Sequence, residues 1–482
     1  MRTLARLLVC LLMPVSIQAA TNPLTSADVT QIIQQSIQTA NQVDPNAVIA
    51  VTDREGFVLG VYGVNHLPVA AEAADAISKA GTAGFLSSNQ NAFTSRTAGF
   101  IIQDHFPPGI SNTAPGPLVG VGLSSLAFSD VNHFRTSDPV PLAIAGTSLS
   151  GTPGGLPLYK NGQLVGGVGV TGSGLTGYVA GGDADEIVAE NAQNGFGAPD
   201  LIQATGALIN GIRLPYAIPE VVKSTQSPLV PANLFYPIVA STGNPPVTVT
   251  PLNLNGITVF VRNPIVGSAL PPINGQVHLS VDEVTSIISL CAARASITRA
   301  GIRLPLGVPA EVFITVVDNP NQPGVAPAVL GGAGTNDGTL FSYDVAVQKA
   351  RTALFFSTNS LAMSTRTVGF LAQDLYPPGI DGNLPGPFFG LQERFSLPDI
   401  IANSPNPNLP NGITIFPGGF PLYRNGVLIG AVGVSGDGVD QDDIISASGT
   451  ANFLAPNAIR ADEFLFRGAR LPYAKFPRSP SD

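Results

Sequence analysis

Gly155-Leu-Pro-Leu-Tyr-Lys-Asn-Gly-Gln-Leu-Val-Gly-Gly-Val-Gly-Val170 returns later in the same chain as Gly419-Phe-Pro-Leu-Tyr-Arg-Asn-Gly-Val-Leu-Ile-Gly-Ala-Val-Gly-Val434. In both copies the Asn-Gly pair supplies the two positive φ angles of a type I′ turn. The flanking stretches 156–160 and 163–170, with their later counterparts, therefore read as antiparallel hairpins. Working outward, the match extends in both directions. Upstream, Ser95-Arg-Thr97, Gly99-Phe100, Gln103-Asp104 and Pro107-Pro-Gly-Ile110 reappear as Thr365-Arg-Thr367, Gly369-Phe370, Gln373-Asp374 and Pro377-Pro-Gly-Ile380. Downstream, Gly211-Ile-Arg-Leu-Pro-Tyr216 reappears as Gly468-Ala-Arg-Leu-Pro-Tyr473. Motifs that recur in one order mark an internal repeat.

Each half opens on a helix signal. Thr25 with Asp28, and Ser280 with Glu283, form capping boxes. Apolar residues then follow at helical spacing: Val29, Ile32, Ile33, Ile37 and Val284, Ile287, Ile288, Cys291. A strand pair comes next, turning at Arg54-Glu-Gly56 in the first half and through the longer excursion 319–327 in the second. Ala-rich helices are predicted near 70–88 and 341–358, and shorter ones over 96–105 and 366–375. A last helix begins near Asp183 and Asp440, where acidic residues suit the positive end of the helix dipole. Helices and hairpins without regular βαβ alternation favour an α+β fold built on antiparallel sheets. Residues 217–278, dense in Pro, Asn and Ser with short β-like pieces such as Ile257 to Val261, read as an ordered linker or insertion with little core of its own. The expected organisation is a signal peptide over 1–20, a first domain over 21–216, the linker over 217–278 and a second domain over 279–482.

The 482 residues are 44% hydrophobic and 11% charged, the balance of a packed protein rather than a disordered one. Arg2 and Arg6, the apolar run 7–15 and the small pair Ala19-Ala20 read as a secretory signal cleaved before Thr21. The chain is then expected to be exported to a periplasmic or extracellular space, with no transmembrane anchor after cleavage. The net charge of −9 becomes two units more negative when those arginines leave. An acidic chain without Lys/Arg clusters is not a nucleic-acid binder. Only Cys291 remains after cleavage, so no intramolecular disulfide forms. On an apolar helix stripe it reads as a buried, inert thiol.

The pattern Gly-Gly-x-Pro-Leu, Asn-Gly, Gly-x-x-Gly-Val-(Thr/Ser)-Gly and Asp-x-Asp resembles the GlcG/HbpS family. So do Lys79-Ala-Gly-Thr-Ala83 and Lys349-Ala-Arg-Thr-Ala353. The resemblance covers most of both halves and not the linker. It implies two profilin-like domains, each a central antiparallel sheet with flanking helices. It also implies a tendency to form homo-oligomers, and haem among the ligands. Fold transfers more safely than function across such a group. The long loops 111–153 and 381–417 depart from the simple family pattern.

Candidate ligand-binding residues follow from recurrence and charge. Lys79 and Lys349 stand in otherwise Ala-rich helices. Asp75 lies at i,i+4 from Lys79, but Val345 takes that position in the second half, which favours a role common to both lysines, such as meeting a ligand carboxylate. Arg96 and Arg366 lie between hydroxyl residues and suit bidentate carboxylate recognition, or equally the tying of a helix start to a neighbouring loop. Histidine is confined to His66, His105, His133 and His278. His66 and His105 are the natural axial donors if haem is held through histidine. Gly167-Val-Gly-Val-Thr-Gly172 fits Gly-x-Gly-x-x-Gly, but it follows a hairpin strand and not a βαβ unit, so it does not read as a dinucleotide site. Its glycines read instead as places where another backbone, or a flat ligand, comes close. No nucleophile–base pair is visible. The expectation is an exported, non-catalytic small-ligand binder whose two halves pack as an internal pseudo-dimer. The alternatives are a protein-interaction scaffold and, behind it, an enzyme acting on a small organic acid or tetrapyrrole.

Overall fold

The computed structural model describes residues 22–475, apart from 104, 111–112, 114–115, 119–148, 219–226, 244–248, 305–306, 379, 381, 392–405 and 407. The segment read as a signal peptide, His133, and much of the two long loops lie outside the described residues.

The first half runs α1 (Ser26–Val43), β1 (Val48–Asp53), β2 (Val58–Gly63), α2 (Ala70–Phe85), α3 (Ser95–Ile101), β3 (Gly155–Lys160), β4 (Gln163–Thr171) and α4 (Ala184–Ala192). Two short strands, β5 (Leu208–Ile209) and β6 (Ile212–Arg213), follow, and then β7 (Leu234–Tyr236), β8 (Thr250–Leu254) and β9 (Ile257–Asn263). The second half repeats the order: α5 (Val281–Ala295), β10 (Phe313–Asp318), β11 (Val329–Gly334), α6 (Leu340–Phe355), α7 (Thr365–Leu371), β12 (Gly419–Arg424), β13 (Val427–Ser435) and α8 (Val439–Gly449). A last short pair, β14 (Leu465–Phe466) and β15 (Ala469–Arg470), ends it.

Both sheets are antiparallel, in the orders β3-β4-β1-β2-β7 and β12-β13-β10-β11-β9-β8. This is the expected α+β architecture. The hairpin turns sit where the sequence puts them, with φ of 53° at Asn161, 76° at Gly162, 50° at Asn425 and 79° at Gly426. Both capping boxes form. The short third helices stop at Ile101 and Leu371, earlier than 105 and 375. Pro107 and Pro377, each in a cis peptide bond, follow several residues beyond.

Residues 217–278 form short strands, among them β9 over the β-like piece at 257–261. β7 pairs with β2 of the first sheet, while β9 pairs with β11 of the second and carries β8 on its outer edge. The segment supplies an edge strand to each sheet because β2 and β11 have no other partner on that side.

Strand alternation splits the first half into two layers. Ile49 and Val51 face α1 and α4, in a core closed within that half by Ile32, Leu59, Val168 and Val188. Val48 and Ala50 face α2, in a core that continues without a break into Phe313, Phe341, Val345 and Val432 of the second half. The halves therefore share one apolar body. Polar links flank it: Arg262 bonds Glu55 at 2.5 Å, and Asp337 accepts from the Ser88 hydroxyl at 2.7 Å and the Gln90 amide at 2.9 Å.

Candidate functional site

The small residues of α2 and the glycines of β4 let helix and strand meet backbone to backbone. A Cβ on Gly167 or Gly169 would lie 2.2 Å from the Ala80 carbonyl oxygen or 2.1 Å from that of Ala76, and one on Gly433 would lie 2.0 Å from that of Ala346. The Gly-x-Gly stretch thus receives a helix. It does not receive a flat ligand.

That close approach carries Lys79 and Lys349 to the ends of β4 and β13. Each is buried. Lys79 Nζ donates to the Val170 carbonyl at 2.9 Å and to Asp185 Oδ2 at 2.8 Å, with Asp75 at 3.6 Å. Lys349 Nζ donates to the Val434 carbonyl at 2.9 Å and to Asp442 Oδ2 at 2.7 Å. Arg96 Nε reaches both oxygens of Glu186 at 2.7 and 3.0 Å, and its other nitrogens bond the carbonyls of Val179 and Gly181. Arg366 pairs with Asp443 at 2.8 Å and Asp440 at 2.7 Å. All four cations are therefore joined to acids on or just before α4 and α8. Asp185 and Asp442, read from sequence as dipole partners of their helices, are the partners that the two lysines have in common. The joint recurrence of Lys and Asp-x-Asp in both halves was the signal that could have linked them.

The histidines stand apart from this arrangement. His66 Nε2 lies 3.0 Å from Glu72, and His105 Nδ1 lies 2.8 Å from the Thr113 carbonyl. Cys291 is buried and its thiol is pushed up to about 12 by desolvation, in keeping with an inert core residue. Among the described residues, no three His, Cys, Asp or Glu side chains are grouped to hold a metal. No helix among them is long and apolar enough to cross a membrane.

The halves differ around the Lys–Asp pair. In the first, Asp185 Oδ1 accepts the Ser173 amide at 3.0 Å, and the Ser173 hydroxyl adds a bond to Oδ2. In the second, Asp437 replaces Ser173 and turns away, accepting the backbone N–H groups of Ile302, Arg303 and Leu304. Asp442 Oδ1 faces the Gly436 amide without a well-formed hydrogen bond. Burial pushes the Asp442 carboxyl up to about 6, against the opposing pull of Lys349. Asp442 and Lys349 border a narrow cavity of about 40 Å³. Its walls are Phe341, Val345 and Phe416 from the second half and Leu86, Phe93 and Leu118 from the first. Arg303, at the edge, donates to Asn91 Oδ1 at 2.7 Å across the junction. Sequence reasoning did not single out Arg303 or the aromatic walls, because their role depends on how the halves dock.

In the first half an open cleft of about 580 Å³, lined by Ala71, Ala74, Asp75, Ser78, Leu149 and Thr152, overlaps the corresponding place without including Lys79 or Asp185. Ala71 stands where the second half has Phe341, Asp75 where it has Val345, and Thr152 where it has Phe416. One cleft is narrow and apolar, and the other is wide with mixed polar and apolar walls.

Residues 292–451 match the family model described as haem degrading protein HbpS-like. Over these residues the chain is similar to the HbpS-like family. Every second-half residue bordering the narrow cavity lies inside the matched segment. No curated protein matches the chain. Among solved structures, a PduOC–haem complex is 22% identical, with 37% of this chain and 98% of that one covered and a TM-score of 0.25. The Klebsiella pneumoniae protein ORFY is 21% identical, covering 37% and 92%, with a TM-score of 0.23. HbpS of Streptomyces reticuli, as a double mutant, is 18% identical, covering 38% and 96%, with a TM-score of 0.22.

Proposed function

We propose that the protein is an exported, non-catalytic binder of a flat, mostly apolar small ligand with a polar edge, with haem or a related tetrapyrrole as the class to test first. The observation that carries this is the HbpS-like cleft itself: an apolar cavity bordered by a buried Lys349–Asp442 pair in which one carboxylate oxygen lacks a full hydrogen bond. An under-satisfied buried acceptor is completed by a donor on a ligand. A few exact polar groups in an apolar wall are how small-molecule sites fix orientation. At about 40 Å³ the cavity holds a few waters. A macrocycle enters only if Phe341 and Leu118 part, so binding is coupled to loosening of the junction between halves. Among the described residues no histidine borders the cavity, so the iron of a haem bound there would be held without His66 or His105. The two halves are read as tandem copies of one HbpS-like domain.

Hemin titration of the mature chain tests this. A saturable Soret shift at micromolar protein, weakened at least tenfold by Val345→Asp, is expected. No shift would rule haem out. The haem-degrading character of the matched family favours a second reading, in which the cleft turns haem over. Under a reductant in air, loss of the Soret band faster than for free hemin, abolished by Phe341→Ala, would establish it. Export is checked by intact mass. The secreted chain should begin at Thr21, and a retained Met1 would exclude cleavage.

A further inference from the structure

The segment between the two halves holds a second, shorter repeat. Leu-Phe-Tyr-Pro-Ile-Val-Ala-Ser at 234–241 returns 27 positions later as Val-Arg-Asn-Pro-Ile-Val-Gly-Ser at 261–268. The common core, Pro-Ile-Val-(Ala/Gly)-Ser, is too short to carry weight as sequence alone. The structure gives it weight, because the two copies make the same contacts, one on each half. Leu234 and Tyr236 pair with Tyr62 and Val61 of β2, and Val261 and Asn263 pair with Ala333 and Gly332 of β11, with a register irregularity at the same step. Beyond the strand, the Val239 amide donates to the Leu59 carbonyl at 2.9 Å and the Val266 amide to that of Leu330 at 2.8 Å. The Ser241 amide donates to the Leu24 carbonyl at 2.8 Å and the Ser268 amide to that of Leu279 at 2.9 Å. The Ser241 hydroxyl donates to Asp53 Oδ2 at 2.9 Å, and the Ser268 hydroxyl to Asp318 Oδ2 at 3.2 Å.

Each strap also seats its isoleucine over a glycine. A Cβ on Gly60 would lie 3.4 Å from Ile238 Cγ1, and one on Gly331 would lie 3.3 Å from Ile265 Cγ1. The opening helix of each half finishes the pocket, with Val29 and Ile33 at Gly60 and Val284 and Ile288 at Gly331. Every receiving position in one half is the counterpart of the receiving position in the other, so the groove repeats together with the strap. The chain reaches the two grooves by different routes. The first strap follows the half it lies on, whereas the second precedes its half. Chain connection therefore does not dictate the seating. Edge pairing, an isoleucine pocket and a serine clasped by a buried carboxylate do. This is recognition by strand addition, in which main-chain hydrogen bonds give affinity and pockets select the side chains. Both straps run over the surface, with Pro237, Ala240, Pro264 and Gly267 exposed.

We infer that each half carries a peptide-binding groove, built from the edge of β2 or β11 and the opening helix, that recognises a Pro-Ile-Val-(Ala/Gly)-Ser segment, and that 234–241 and 261–268 are two tethered copies of its ligand. Tethering holds each strap near its groove at about millimolar effective concentration, so a modest intrinsic affinity keeps both grooves filled. Because the grooves match position for position, either strap sequence fits either groove. The inference is independent of what the clefts bind, and it goes beyond the reading of the protein as a small-ligand binder.

The test uses the full mature chain carrying Ile238→Asp and Val239→Pro, which remove the pocket side chain and the N–H that bonds Leu59. Circular dichroism checks that this variant is folded. The probe is a fluorescein-labelled peptide of residues 232–243, read by anisotropy. It should bind the variant saturably and the wild type at least tenfold more weakly, because the tethered strap competes. An unlabelled peptide of residues 259–270 should displace it, and the same peptide with Ile265→Asp should not. No binding to the folded variant, equal binding to the wild type, or equal displacement by the Asp-bearing peptide would each overturn the inference. If the variant does not fold, hydrogen exchange on the wild type decides. The Val239 and Ser241 amides should exchange together while β1 and β4 stay protected, and excess peptide 232–243 should speed them by capturing the vacated groove. Exchange of these amides at the rate of β1, or at a rate that the peptide leaves unchanged, would overturn it.

Discussion

Lys79 and Lys349 show how recurrence can be legible while its meaning is not. Their presence in both halves of the sequence pointed to a common role, and a ligand carboxylate was the natural candidate. The structure supplies the carboxylate from inside, as Asp185 and Asp442, more than ninety positions further along the chain. A pair so distant in sequence leaves no periodic trace; the nearer Asp75, legible at i,i+4, is a second and longer partner of Lys79 at 3.6 Å. A buried cation left alone is costly, whereas replacing both members of such a pair by apolar groups is often neutral. Lys349→Met should therefore cost about 3–5 kcal/mol of unfolding free energy, and Lys349→Met with Asp442→Leu should recover most of it. Denaturant titration of the two variants decides the matter, and equal losses would mean that the pair is not coupled. Asp442 also carries a pH signature. Its carboxyl is raised from 3.8 to about 6 by burial. Between those values the native state keeps a proton that the unfolded chain has released, so this group's contribution to stability is full below the window and lost as pH rises through it. Asp442→Asn should flatten that part of the stability–pH curve. An unchanged slope in the variant would assign the proton to another acid, such as Asp443 or Asp437, which burial also raises.

Among the elements, the hairpins β3–β4 and β12–β13 were the most legible, because Asn-Gly dictates its turn by local sterics alone. At Gly167 and Gly169 a close approach by another backbone or a flat ligand was foreseen, and it is the α2 backbone that comes close. Packing of an Ala-rich helix flat on a glycine-bearing strand is a tertiary fact, and it fills the place where a ligand could have lain. The two kinds of glycine should behave differently. Gly426→Ala forces a side chain into a φ of 79° with no atom but Pro456 nearby, at 3.8 Å, and should cost about 1–2 kcal/mol. Gly433→Ala drives a methyl into the α6 backbone, where no rotamer relieves it, so it should cost more than about 3 kcal/mol by the overpacking of a close contact. Thermal melts of the two variants read the contrast directly, and similar losses would show that α6 can move away from β13 at little cost. The short helices α3 and α7 end at Ile101 and Leu371, four residues before the ends expected from sequence, because the chain leaves the helix well ahead of Pro107 and Pro377.

At the scale of the whole molecule, the segment 217–278 was legible in part: its β-like piece at 257–261 is present as β9, while the pairing of its strands with both sheets was not readable. Its strands are brief, broken by proline and placed at sheet edges, where patterning is weakest. Yet β9 brings Val259 and Phe260 into the core, both buried, and closes the edge of β11. A fragment that begins at residue 279 loses those two side chains, each worth about 1.5–3 kcal/mol when buried, and bares a strand edge open to aggregation. A fragment that begins at residue 249 keeps them. The longer fragment should therefore unfold cooperatively and at clearly higher denaturant, and equal midpoints would reduce β8 and β9 to a surface appendage. The same fragment separates folding from binding. It retains Lys349, Asp442, Phe341, Val345 and Phe416, but it lacks Leu86, Phe93 and Leu118, which wall the cavity from the other side. Folded and alone, it should bind hemin at least tenfold more weakly than the whole chain. Adding a separately produced first half should restore affinity, because docking at Asp337 and Arg303 rebuilds the missing wall. If the fragment alone bound as tightly as the whole chain, the ligand would sit on the HbpS-like half without help from its neighbour, and the junction would serve stability and not recognition.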